Sequence, residues 1–246
     1  MMPVLQIGPI ALPMPALIVL LGIWLGLALA ERFAARNRLT GDYIFNLALT
    51  GLVVGLVAAR LGYVLRYPYA FSENIMDVFS RNLGLFDTQT GFVVGLIASA
   101  IYAQRKQISL KATLDALTPA FAVFSIALSL SHIASGDAYG SPATLPWSIQ
   151  LWGAQRHPSQ IYETLAGIAI LGYLWPSHKH LANLKPGEYF LKFVIMNSAA
   201  RLFLEAFRGD SAVTLGGYRA AQIISWLILA VCLYAIKRLR TTQGPP

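Results

Sequence analysis

The chain has 246 residues, 56% of them hydrophobic and only 12% charged, with a mean hydropathy of +0.57; a soluble domain carries about a quarter charged residues. That balance excludes most soluble folds and points to a single all-α, polytopic membrane domain over residues 1–246, since several apolar runs approach the roughly 20 residues that cross a hydrocarbon core as helix. The net charge of +8 is dispersed between apolar segments rather than gathered on one polar face, so it reads as membrane topology and gives no ground for nucleic-acid binding.

In chain order, residues 12–30 form the first expected span, closed by Glu31, Arg32, Arg36 and Arg38. The start lacks the charged region and small-residue cleavage site of a signal peptide, so this helix is expected to stay in the mature protein. Residues 43–65 follow, interrupted by Asn46, Thr50 and Arg60, and then a polar, aromatic-rich loop near 66–89. A short third span, 90–103, stops at Arg105 and Lys106, and a fourth covers 113–134. The Gly-, Pro- and Trp-rich stretch near 135–158 reads as an ordered loop, with Trp147 and Trp152 suited to an interfacial belt. Spans at 161–175, 187–207 and 220–236 complete a count of about seven. Cys232 is the single cysteine, which leaves neither a disulfide framework nor a thiolate zinc site, and no cofactor or metal is expected.

Lysine and arginine fall unevenly on the alternate loops, 11 on one side and 5 on the other. The richer side is expected to be cytoplasmic, with the N-terminus and the two long loops outside and the C-terminus inside.

Charges inside spans cost about 2.5–3.5 kcal/mol each on insertion scales, so they mark functional candidates. They are Arg60, Asp115, Glu163, Arg201 and Glu205. Arg201 and Glu205 stand four apart on one helix face, with Arg208 on the next turn. Such a set could be an ion pair that only fixes packing. It could equally be a ladder of guanidiniums suited to a lipid phosphate, which Arg60 could join. A second cluster, 156–163, reads Arg-His-Pro-Ser-Gln-Ile-Tyr-Glu. Pro158 and Ser159 suit a helix start, and Glu163 is favoured near a helix N-terminus. Helix capping does not require His157, Gln160, Tyr162 and Glu163 together, a set able to hold polar head-group atoms, with His157 either a general base or a buried donor. His132 and Asp137 extend the set, whereas His178 and His180 flank a basic turn and read as solvated.

These segments, with Ala59–Leu65, Asp115–Pro119 and Gly136–Gly140, resemble the prolipoprotein diacylglyceryl transferases. These bacterial plasma-membrane enzymes move a diacylglyceryl group from phosphatidylglycerol to a lipobox cysteine. The HPSQIYE run and the RxxxExxR spacing of Arg201, Glu205 and Arg208, in this order on about seven spans, carry the resemblance. It implies a phospholipid head group held by arginines, glycerol-1-phosphate as leaving group and a thioether to the prolipoprotein cysteine. Arg201 would correspond to the essential arginine, with Glu205 orienting it and His157 or His132 moving the thiol proton. Arg60, Arg208, Gln160, Tyr162, Glu163 and Asp137 would line the lipid site. The sequence departs from the family pattern where Ser129 and His132 stand at an arginine and an asparagine position, Thr90 at a histidine position and Asp137 at a glutamate position. A non-catalytic paralogue that binds phospholipid or lipoprotein is the alternative reading. A transporter would need a polar path between the two faces, and the polar residues gather toward one half.

Overall fold

Helix starts in this chain are written in its capping residues. The computed structural model describes residues 4–7, 10–37, 39–72, 74–79, 85–177, 184–214 and 216–241. Two short antiparallel strands, β1 (Val4–Ile7) and β2 (Ile10–Pro13), precede the first helix, α1 (Met14–Phe33). Leu12, expected in the first span, therefore lies in β2: extended Pro13 precedes the helix and Pro15 sits in its first turn, where a missing amide costs nothing. Helix α2 (Gly41–Arg66) starts at Thr40, whose hydroxyl accepts from the Tyr43 amide, and α3 (Thr88–Arg105) starts at Asp87, whose carboxylate accepts from the Gln89 and Thr90 amides. The Thr90 amide, helped by the Thr90 hydroxyl, the Gln89 amide and Arg66, holds the Asp87 carboxyl below the usual range. Helix α4 (Leu110–Ser135) is capped by Ser109 and ends at Gly136 in the left-handed conformation. Helices α5 (Ser159–Tyr173), α6 (Glu188–Leu204) and α7 (Ala220–Thr241) follow. The 135–158 loop carries a hairpin of β3 (Ile149–Leu151) and β4 (Ala154–Arg156).

Among the described residues four helical stretches, Met14–Arg36, Gly41–Arg66, Leu110–Ser135 and Ala220–Thr241, are long and apolar enough to cross a membrane. Their outer surfaces carry Trp24, Leu52 and Val231 about two-thirds exposed, an apolar exposure that a protein in water would not sustain. Inside the bundle the helices approach through small residues, as membrane helices do. A Cβ on Gly22 of α1 would stand 2.1 Å from the Ala127 Cβ of α4, and one on Gly55 of α2 would stand 2.8 Å from the Gly91 carbonyl of α3.

The bundle has two unlike ends. At the end with short connections, Asp115 of α4 caps α6 by accepting from the Gly187 amide at 2.6 Å and the Phe190 amide at 2.9 Å. Arg240 of α7 donates to Glu188 at 2.6 Å, and Lys185 donates to the Leu239 and Arg240 carbonyls. Asp115 is thus a packing residue that joins α4 to α6. The opposite end carries the long loops and the second concentration of charge.

Candidate functional site

At the long-loop end three segments interlock. The Gly209 amide donates to the Tyr139 carbonyl at 2.8 Å, the Ser141 amide to the Phe207 carbonyl at 2.8 Å, and the His157 amide to the Ser141 carbonyl at 3.0 Å. Gly140 lies at their crossing, where a Cβ would meet the His157 carbonyl at 2.1 Å. The first turn of α5 pins the same loop from below. Ser159 Oγ donates to the Ala138 carbonyl at 2.6 Å, and the buried Gln160 donates to the Asp137 carbonyl at 2.9 Å. The Gln160 amide group thereby holds the loop, while the Asp137 side chain is left exposed.

Beneath this cap the charged residues form one network. Arg201 Nε lies 2.9 Å from Glu205 Oε2, and Arg201 Nη1 lies 3.5 Å from Glu163 Oε1. Arg208 Nη1 donates to Glu163 Oε1 at 3.1 Å, and its other nitrogens form a fork on Asp210 at 2.9 and 2.7 Å. Arg219 donates to the Glu205 and Arg208 carbonyls and to Ser211 Oγ, which in turn donates to Glu205 Oε1 at 2.6 Å. Three guanidiniums thus face three carboxylates, so charges at bundle depth are compensated. Arg219, Asp210 and Ser211 were not singled out from sequence. The Arg208-Gly209-Asp210 spacing was the available signal, because a carboxylate two residues on can fork onto the same guanidinium.

Exposure separates the arginines. The Arg208 side chain is 11% exposed and committed to two carboxylates, whereas that of Arg201 is 39% exposed. Arg201 opens onto a cavity of about 140 Å³ between α4, α5 and α6, lined also by Ser129, His132, Glu163 and Asn197. The Nδ1 of His132 is itself fully buried, shut off from the cavity space, and has no hydrogen-bond partner among the described residues. Ser129 brings no charge to the cavity, and its hydroxyl is occupied: it donates to the Ile126 carbonyl at 2.9 Å and lies 3.0 Å from Thr164 Oγ1.

The remaining candidates stand apart from that cavity. His157 packs edge-on against Phe207, and its Nδ1 is 3.5 Å from the Tyr162 hydroxyl, which accepts from Trp147 Nε1 at 2.8 Å. Arg60 spends its guanidinium on the 67–87 loop, donating to the Val78 and Leu85 carbonyls at 2.7 Å each and to the Asp77 carbonyl, between the Phe71 and Phe86 rings. No ion pair or hydrogen bond among the described residues joins it to Arg201. Thr90 caps α3 through Asp87 and packs under Gly62. His178 and His180 lie outside the described residues.

Apolar helices around a cavity lined by the Arg201 guanidinium, in a bundle that carries long loops at one end, define an integral-membrane helical protein. The model of the prolipoprotein diacylglyceryl transferase family matches residues 3–237. Similar proteins include the phosphatidylglycerol–prolipoprotein diacylglyceryl transferases of Lysinibacillus sphaericus (strain C3-41), 30% identical over 98% of this chain and 95% of the relative, and of Clostridioides difficile (strain 630), 29% identical over 83% and 81%. That of Geobacillus kaustophilus (strain HTA426) is 27% identical over 96% and 92%. The chain belongs to the prolipoprotein diacylglyceryl transferase family.

Proposed function

We infer that this chain transfers the diacylglyceryl group of phosphatidylglycerol to the lipobox cysteine of a prolipoprotein in the bacterial plasma membrane. Family membership supplies the reaction class, and the names of its relatives supply the lipid and the acceptor. The observation that carries the reading to particular residues is the cavity that the partly exposed Arg201 and His132 line together.

In the reaction the cysteine sulfur attacks the glyceryl carbon that bears the phosphate ester. A carbon–sulfur bond forms, the carbon–oxygen bond breaks, and glycerol-1-phosphate leaves with the bonding electrons. Two charges must be managed: the thiol proton, and the phosphate charge that grows as the bond breaks. Arg201 faces the cavity with a permanent charge, and Glu205 and Glu163 hold its guanidinium on two sides. A pre-oriented cation where charge develops is the largest common source of rate enhancement. His132, whose side chain lines the same cavity, takes the thiol proton in this reading. His157 and Tyr162 pair with each other on the cap side, apart from the cavity, and the acceptor peptide is placed against them in this reading. Arg208 and Gln160 hold the site from behind, Asp137 stands at its rim, and Arg60 fixes the neighbouring loop.

The topology is part of the proposal. All seven helices are taken as spans, with the N-terminus and both long loops outside and the C-terminus inside. The alternate-loop charge bias supports that orientation. It places the cavity in the outer half of the bilayer, on the side where an exported prolipoprotein presents its cysteine.

The test is transfer by the purified protein from phosphatidylglycerol to a lipobox-cysteine peptide, following the lipidated peptide and glycerol-1-phosphate together. Equimolar appearance of both is expected. Lipid binding without either product would make the chain a binding paralogue instead.

A further inference from the structure

Asn197 lies midway along α6, four residues before Arg201, so the two side chains share one face of the helix about 6 Å apart along its axis. It lines the same cavity, its side chain is exposed, and its carboxamide makes no hydrogen bond to any described residue. An unpaired amide in the middle of a membrane helix is costly unless it meets a polar ligand or water. The neighbouring polar groups already have other uses: Ser129 is hydrogen-bonded within α4, and Glu163 is shared by two guanidiniums.

The chemistry of the free groups divides the cavity in two. Arg201 offers a permanent charge, suited to a phosphate. A carboxamide is neutral and presents two donors and an acceptor, so it suits hydroxyl groups, which both donate and accept. The volume fits such a fragment. At about 140 Å³ the cavity approaches the ~150 Å³ engineered cavity that holds benzene, a molecule of about six non-hydrogen atoms. Glycerol has that number.

We propose that Asn197 is a specificity-determining residue that binds the hydroxyls of the head-group glycerol, while Arg201 holds the adjoining phosphate. The assignment rests on phosphatidylglycerol as the lipid of the proposed function and adds the residue that distinguishes its head group from others with the same phosphodiester. A carboxamide that the bound lipid covers discriminates against the analogue lacking the hydroxyl, because the protein group is then shut from water and left unpaired.

The experiment compares phosphatidylglycerol with a phospholipid of the same acyl chains bearing an n-propanol head group. The wild-type protein, Asn197→Leu and Asn197→Gln are each measured for equilibrium binding in nanodiscs and for kcat and KM in peptide transfer. The wild-type protein is expected to prefer phosphatidylglycerol at least about tenfold in both. Asn197→Leu should abolish the preference by weakening phosphatidylglycerol alone, and Asn197→Gln should restore part of it. A preference retained in Asn197→Leu, with transfer intact, overturns this assignment and leaves the proposed function standing. A preference in binding that depends on Asn197, in a protein without transfer, supports the assignment and overturns the proposed function. Equal loss for both lipids in Asn197→Leu would mean a general packing role and also overturns it.

Discussion

Arg208 Nη1 stands 3.1 Å from Glu163 Oε1, joining the turn after α6 to the second turn of α5 beneath the loop cap. Because the same guanidinium forks onto Asp210, the segment after α6 cannot drift from α5 without separating buried charges. Removing one partner from a buried pair costs about 3–5 kcal/mol, since the other charge is left uncompensated. Arg208→Ala is therefore expected to lower stability by about 3 kcal/mol, read as a lowered thermal midpoint in detergent, with Arg208→Lys recovering only part of it because an ammonium cannot reproduce the fork.

The two cap-side histidines have different surroundings, so substitution separates their roles. His132 lines the Arg201 cavity, whereas His157 sits among Tyr162 and Phe207. His132→Gln is expected to reduce kcat about a hundredfold at unchanged KM for lipid, the usual size of a lost general base. His157→Gln should act on the KM for peptide. The reverse pattern in steady-state kinetics would assign the proton transfer to His157.

Arg60→Ala removes a donor from three loop carbonyls. Limited proteolysis is expected to cut the 67–87 loop faster in this variant. Phosphatidylglycerol affinity should fall far less than in Arg201→Ala, and equal losses in the two variants would bring Arg60 into the lipid site.

Much of this arrangement is legible in the sequence. Apolar runs marked the seven helices named above among the described residues, and four of these are long and apolar enough to cross a membrane, since such length and apolarity leave a strong one-dimensional signal. Leu12 was misplaced because β2 is as apolar as the helix it leads into, and the extended Pro13 marks the change. The i, i+4 spacing of Arg201 and Glu205 announced their ion pair, which needs only helix geometry. Their meeting with Glu163, and the sharing of the cluster with Arg219, depend on how α5, α6 and the loop after Arg208 pack, a relation no local pattern encodes. The same limit applies to Arg60. As a lone charge in a span it reads as a ligand group, yet its partners are backbone carbonyls, which look alike in every sequence.

Ser129 offers a gain-of-function test. Its side chain is buried beside the cavity and carries no charge. Ser129→Arg places a second guanidinium opposite Arg201 and near Glu163, and is expected to raise phosphatidylglycerol affinity by about tenfold, the order of one charge-assisted hydrogen bond. Unchanged affinity in a folded variant would place the phosphate away from α4.

The most direct measurement is transfer and phosphatidylglycerol binding by Arg201→Ala beside the wild-type protein, with thermal unfolding recorded on the same samples. Loss of at least about a hundredfold in transfer, weakened lipid binding and a nearly unchanged thermal midpoint are expected if Arg201 holds the phosphate as the carbon–oxygen bond breaks. Full transfer by a folded Arg201→Ala protein would contradict that role and leave Arg201 as one member of a structural charge network.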